Sequence, residues 1–231
     1  MSAARPLRAL LVGCGSMGAA IADIWESRGH AIVRRVYRDD AVGSGDAADV
    51  AFEFTHPESA RARVEELLRL GVPTVCGTTG WDAAPMRALA TELAVPLLVA
   101  ANFSIGIAVM RRLVAEASLA LAPFAEFEPG ILERHHSRKK DSPSGTAKLL
   151  ATTVAERRDG TLPPVVSLRQ GGQPGEHVVY FDGADECLEL AHRVRTRRVF
   201  ATGAVAAAEW LARAQPAGPV SFEEFLERRS Q

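Results

Sequence analysis

Ala9-Leu10-Leu11-Val12-Gly13-Cys14-Gly15-Ser16-Met17-Gly18, continued by Ala19-Ala20-Ile21-Ala22-Asp23-Ile24-Trp25, is the stretch that decides the fold. Four apolar residues in a row read as a short strand buried on both faces of a parallel sheet. After the glycines, apolar residues recur at three- and four-residue spacing, the mark of a helix, and Gly29 closes it. Between strand and helix lies a complete G-x-G-x-x-G. Its first glycine permits a tight bend, the second lets backbone approach a pyrophosphate, and the third lets helix pack on strand. The glycines alone would say little. Their position between a buried strand and a helix predicts a dinucleotide-binding unit.

The same rhythm continues outward. Ile32 to Tyr37 reads as a second strand, whose end should lie beside an adenosine ribose. An acidic residue there favours NAD and an arginine favours NADP; Tyr37-Arg38-Asp39-Asp40 offers both, so the coenzyme stays open. Further strands are expected at 49–54, 73–76 and 96–100, with helices at 58–70 and 83–93 between them. Two strand ends carry loops, Gly77-Thr78-Thr79-Gly80 and Ala101-Asn102-Phe103-Ser104. In an open α/β sheet ligands bind outside the carboxyl ends of the strands, so these loops should face the nicotinamide; the bland alternative is a pair of plain turns.

Beyond Ile105 the character changes. A long apolar helix to about Ala122 is followed by strand-like runs at 127–134, 165–169, 176–181 and 186–194, the last alternating cleanly. This predicts a mixed or antiparallel sheet. Pro129-Gly130 inside the first of these strands implies an edge position or a bulge. An alanine-rich helix is expected at 199–214, followed by a polar tail containing Phe222 and Phe225. His177 and His192 read more readily as hydrogen-bonded structural histidines than as ligands. Arg193, Arg195, Arg197 and Arg198 are either a solvated charge run or part of an anion site. The fold class is therefore α/β, a Rossmann-type parallel-sheet domain plus a smaller α+β domain with a mixed sheet.

Composition narrows the function. A net charge of −1 provides no global field for nucleic acid or an anionic membrane, so any basic site must be local. Cys14, Cys76 and Cys187 are odd in number and far apart, which argues for reduced thiols and against a cysteine metal site. The short apolar run near the N-terminus is ended by a glycine turn, unlike a signal peptide or a membrane span. The expectation is a soluble cytoplasmic protein.

The local basic site is Glu133-Arg134-His135-His136-Ser137-Arg138-Lys139-Lys140-Asp141-Ser142-Pro143-Ser144-Gly145-Thr146-Ala147. Two imidazoles and a cluster of cations lead into a turn that opens a helix. Unpaired N–H groups at a helix start suit an anion, and Ser or Thr there can cap or donate. An imidazole, an ammonium and an anion cradle together suit binding a carboxylate and moving a proton. The alternatives are a solvated loop before a capped helix, or a phosphate patch.

These motifs together resemble the dihydrodipicolinate reductase family. The resemblance spans nearly the whole chain: the glycine loop, Gly77-Thr78-Thr79-Gly80, Ala100-Ala101-Asn102-Phe103-Ser104, the run from Glu133 to Ala147, Gly175-Glu176-His177, Glu186-x-x-Glu189-x-x-His192 and Arg197-x-x-Phe200-Ala201. It implies NAD(P)H-dependent reduction of 4-hydroxy-tetrahydrodipicolinate, by way of dihydrodipicolinate, in diaminopimelate and lysine biosynthesis. His135 is then the acid/base histidine and Lys139 the proton donor. His136, Ser144, Gly145 and Thr146 bind the substrate carboxylates. The implied cofactor contacts are Gly13, Cys14, Gly15, Ser16, Met17, Gly18, Arg38, Gly77, Thr78, Thr79, Ala100, Ala101, Asn102 and Phe103. A dinucleotide domain at 1–104, rejoined by 205–231, and a substrate and assembly domain at 105–204 are also implied, with a homotetramer as the assembled form.

Three rivals are weaker. Another two-domain NAD(P) oxidoreductase should lack His-His-x-x-Lys joined to Ser-Gly-Thr. A nucleotide-binding redox sensor acting on nucleic acid should carry a recognition helix or a basic balance. A metal on His135 and His136 lacks a third ligand at motif spacing, so none is expected.

Overall fold

In a computed structural model, which describes residues 5–38, 40–43 and 48–229, the Ala9–Val12 run forms most of β1 (Arg8–Val12). All four residues are buried, because β1 is an interior strand of a parallel sheet with neighbours on both sides. The sheet has six strands in the order β10-β5-β4-β3-β1-β2. Its members are β2 (Ala31–Val36), β3 (Val50–Glu53), β4 (Thr74–Cys76), β5 (Leu97–Val99) and β10 (Pro219–Val220). Asp39, part of the ribose-end reading, lies outside the described residues.

Helices α1 (Ser16–Ser27), α2 (Pro57–Arg69), α3 (Ala84–Glu92), α6 (Arg198–Ala214) and α7 (Phe222–Arg229) belong with this sheet. Trp25 of α1 is fully buried and meets Phe52 of β3 edge-on, ring centroids 5.3 Å apart. Burying an apolar side chain of this size contributes on the order of 2–3 kcal/mol. Gly71 and Gly29 turn the chain at positive φ directly after α2 and α1.

The chain divides into one unit drawn from Met1–Ser104 and Arg198–Gln231, and a second of Ile105–Arg197. Helix α6, expected to be divided at residue 205, falls whole within the first unit. Its small residues explain why: Ala201, Gly203, Ala204 and Ala207 are buried, and a Cβ on Gly203 would run into the Phe103 carbonyl oxygen. Only so slim a face can pack this closely.

The second unit holds α4 (Ile105–Leu121), β6 (Glu128–His135), α5 (Gly145–Glu156), β7 (Val165–Arg169), β8 (Glu176–Asp182) and β9 (Cys187–Arg193). Its sheet runs β7-β6-β8-β9, with β6–β7 parallel and the other pairs antiparallel. One face packs on α4 and α5 through Ile107, Met110, Val114, Leu150 and Val154 against Ile131, Val179 and Phe181.

The expected edge position of the Pro129-Gly130 strand is corrected here. β6 is an interior strand, and its register with β8 is regular from Glu128 to Arg134. Proline is tolerated because β7 pairs only with Ile131 to His135. The N–H of Ile131 points to the β7 side, onto Pro164 O at 3.0 Å. Two residues earlier, Pro129 points the same way, where no partner strand requires an N–H.

Candidate functional site

In the first unit, the strand order reverses at β1: β2 lies on one side of it and β3 on the other. Such a switch point opens a crevice at the carboxyl ends of the strands. A cleft of about 820 Å³ is found there, walled by Gly13, Cys14, Gly15, Ser16, Met17, Tyr37 and Arg38, and by the stretch after β3. Gly13 has φ +97°, and a Cβ on it would run into Phe54 O. Gly18 is buried against the Gly13 carbonyl. A Cβ on Gly15, by contrast, meets nothing within 4 Å. Gly15 is also the N-cap of α1 and makes no side-chain cap, so the first-turn N–H groups are left for a ligand. These features fit a dinucleotide pyrophosphate.

The stretch after β3 is what sequence reasoning missed. Phe54, Thr55, His56, Glu58, Ser59 and Arg63 all face the cleft. Pro57 at the first turn of α2 was the available signal, since it starts a helix directly at a strand end. Arg63 donates to Arg38 O at 2.8 Å, so both arginines stand on the cleft wall beyond the end of β2. Beneath this wall, buried Glu53 accepts hydrogen bonds from Thr55 Oγ1 and from Cys76 Sγ, and burial pushes the Cys76 thiol up.

The loops after β4 and β5 do not wall this cleft. Gly77 abuts the Phe54 ring, and Thr78 Oγ1 accepts from Thr55 N at 2.8 Å, so the loop after β4 braces the β3 loop. Thr79, Ala100 and Ala101 follow the same strand ends. Asn102 Oδ1 accepts from Ser104 N, and Phe103 is buried between Phe54 and Phe222.

In the second unit, the motif folds around one carboxylate. Glu133, His135 and His177 come from adjacent strands, with Glu133 opposite His177 in the β6–β8 register. Glu133 is fully buried. Its Oε1 accepts from Ser144 N (2.9 Å), Ser167 Oγ (2.7 Å) and Arg169 Nη2 (2.7 Å). Burial alone would raise this carboxyl, but those hydrogen bonds outweigh it and hold the group at about 2. Its Oε2 lies 3.1 Å from His135 Nδ1 and 3.7 Å from His177 Nε2. Burial lowers both imidazoles, His177 to about 4. Both rings are therefore neutral near pH 7.

Helix α5 begins beside this cluster. Ser144 is its N-cap, accepting from Ala147 N at 3.1 Å and sharing a hydrogen bond with His177 Nε2 at 3.1 Å. Gly145 is exposed, with nothing within 4 Å of its Cβ position, and Thr146 follows. His136 is half-buried, and its carbonyl accepts from Lys139 N at 3.1 Å. Lys139 Nζ lies 2.8 Å from Asp141 Oδ1. Lys139, and secondarily the Gly145 N–H, hold that carboxyl below its usual range. Asp141 thus sits where an anionic ligand of Lys139 and Gly145 would go.

Glu133, His135 and His177 also have the spacing of a metal-ligand group. The Arg169 guanidinium on the same carboxylate already neutralises it, which disfavours a divalent cation there. Arg169 and Ser167 were not singled out in the sequence; their alternation along β7 opposite Glu133 and His135 was the signal. Arg193 pairs with Glu176 on the far face of the sheet rather than joining this cluster.

Residues 7–103 match the family description "Dihydrodipicolinate reductase, N-terminus", and residues 106–226 match "Dihydrodipicolinate reductase, C-terminus". The chain belongs to the dihydrodipicolinate reductase family. A 4-hydroxy-tetrahydrodipicolinate reductase of Natronomonas pharaonis is 40% identical over 196 residues, 78% of each chain. That of Bdellovibrio bacteriovorus is 35% identical over 211 residues, 90% of each. Among solved structures, the dipicolinate-bound dihydrodipicolinate reductase of Paenisporosarcina sp. TG-14 superposes with a TM-score of 0.78. It is 23% identical and covers 95% of this chain and 99% of its own. At that identity the likeness speaks for the fold, and the family membership rests on the sequence matches.

Proposed function

We propose that this protein reduces 4-hydroxy-tetrahydrodipicolinate, by way of dihydrodipicolinate, to tetrahydrodipicolinate with NADPH or NADH, a step toward diaminopimelate and lysine. The observation that carries the reading is the meeting of the His135 strand end with the capped start of α5, with Lys139 on the loop between them. The Natronomonas and Bdellovibrio relatives are 4-hydroxy-tetrahydrodipicolinate reductases, named for the same substrate.

Each residue has a physical task. The Gly145 N–H, the Thr146 hydroxyl and His136 take the substrate carboxylates, assisted by the positive end of the α5 dipole. Lys139 exchanges its Asp141 partner for substrate and donates a proton to the reducing ring, offsetting the charge that develops there. His135 assists that transfer. A bound nicotinamide supplies the hydride. The glycine loop holds its pyrophosphate, while Arg38 and Arg63 on the cleft wall support use of NADPH.

The assembly follows as a homotetramer. What supports it is the far face of the second-unit sheet, where Val166 is 62% and Leu168 40% exposed beside Leu132 and Tyr180. Action in the cytoplasm is supported by three free cysteines; among the described residues no helix is long and apolar enough to cross a membrane.

The test follows NADPH and NADH absorbance while purified protein meets freshly made substrate, generated by coupling pyruvate and aspartate semialdehyde through its synthase. Rapid protein-dependent oxidation is expected. Folded, nucleotide-binding protein that consumes neither coenzyme would refute the reading.

A further inference from the structure

We infer that Glu133 is the positioning carboxylate of this site: it fixes the Nδ1 edge of His135 and the Ser144 N–H together, leaving His135 Nε2 to exchange protons beside the anion-binding start of α5. The inference deepens the functional reading above and rests on its assignment of His135 and α5.

A carboxylate buried as completely as Glu133 is costly unless its lone pairs are filled. Oε1 is filled three times over, by groups from the α5 start and from β7. Oε2 is different. It and His135 Nδ1 are both buried without a hydrogen bond, yet they lie 3.1 Å apart. A rotation of the imidazole that turns an Nδ1–H onto Oε2 satisfies both atoms at once. The neutral ring must then carry its proton on Nδ1.

The opposite edge of the ring is kept clear by a glycine. A Cβ on Gly175 would stand 3.1 Å from His135 Nε2, so any larger residue there would press on the nitrogen that remains to act. The charged and titratable groups around the pair come from every neighbouring element. Arg169 lies on β7, His177 on β8 and His192 beyond it on β9, with Lys139 and Asp141 on the loop. Arg169 balances Glu133, and the carboxylate therefore orients His135 without leaving a surplus charge. The Ser144 contact extends the effect: one side chain sets both the proton-exchanging ring and the helix start.

The experiment reads the tautomer directly. Full-length protein labelled with ¹⁵N-histidine is examined by long-range ¹H–¹⁵N correlation across pH, with H135N providing the assignment. Wild type is expected to show His135 protonated at Nδ1. In E133Q the titration midpoint of His135 should fall, since the carboxylate favours the cation, and both tautomers should appear; E133D should restore the single form. In the coupled assay E133Q should lose about 10–100-fold in kcat with nucleotide affinity unchanged. A merely structural carboxylate would lower the melting temperature of E133Q and leave the His135 tautomer and midpoint alone. That result, or an Nε2-protonated His135 in wild type, overturns the inference. If E133Q does not fold, the wild-type tautomer still decides. Because this readout needs no substrate, inactivity of wild type in the assay would refute the functional reading separately.

Discussion

Gly18 lies directly against the backbone of Gly13: a Cβ on Gly18 would run into the Gly13 carbonyl oxygen, so the first and third glycines of the loop touch. Gly15 between them faces open space. Gly18→Ala should therefore cost about 1–3 kcal/mol of stability through overpacking, whereas Gly15→Ala should leave the melting temperature unchanged. Both should weaken NADPH binding, Gly15→Ala by intruding on the pyrophosphate alone. Thermal melts paired with fluorescence titration of NADPH separate the two. Equal destabilisation by both variants would contradict this division of labour.

Among the described residues Lys139 pairs with Asp141, its neighbour on the same surface loop, so its removal should spare the fold. Lys139→Ala should lower kcat by about 10²–10⁴ as the proton donor is lost, with an unchanged circular dichroism spectrum. Steady-state rates in the coupled assay check it; unimpaired turnover would remove Lys139 from the mechanism.

Arg38 and Arg63 both line the cleft, and Arg63 donates to the Arg38 carbonyl. Loss of a charge-assisted hydrogen bond to a phosphate is worth about 1.5–3 kcal/mol, roughly tenfold or more in affinity. Arg38→Ala should raise KM for NADPH by about that factor and leave KM for NADH nearly constant. Parallel rises for both coenzymes would place Arg38 elsewhere on the nucleotide.

Stability should fall toward acid in two overlapping steps. Burial lowers His177 from 6.5 to about 4. The unfolded chain then takes up the proton first, and stability that is full above 6.5 is lost as pH falls toward 4. Glu133, held at about 2 against an ordinary 4.5, contributes stability present above 4.5 and lost from there down to 2. At about 1.4 kcal/mol per pH unit of difference, each amounts to a few kcal/mol. Urea denaturation at pH 7, 5.5 and 4.5 should show the decline, and His177→Asn should flatten its upper part. A pH-independent wild type over this range would contradict the His177 assignment, and an unchanged stability between pH 4.5 and 3 the Glu133 one.

Val166 and Leu168 alternate onto the uncovered face of the second sheet. Val166→Asp with Leu168→Asp should yield smaller species by light scattering while the far-ultraviolet spectrum stays native. An unchanged mass would move the assembly surface elsewhere.

Sequence alone determined whatever depends on near neighbours in the chain. Four apolar residues before Gly-x-Gly-x-x-Gly specify a buried strand, its turn and the helix that follows, since backbone bend and helix start are local matters. Ser144 is likewise readable as a cap, because its partner is three residues away. The motif from Glu133 to Thr146 identified the family for the same reason: its residues are contiguous. Tertiary structure decided the rest. Phe54 to Arg63 joins the cleft because β3 pairs beside β1, a choice made by sheet order rather than by any neighbouring residue. The two residues of β10 are too few to carry a pattern and become a strand only against Leu97 and Leu98. Glu133 acquires its meaning across four strands, where register sets Ser167, His177 and His192 in one row. A chain written in one dimension shows which residues can accept or donate a proton; register and packing decide which of them face each other.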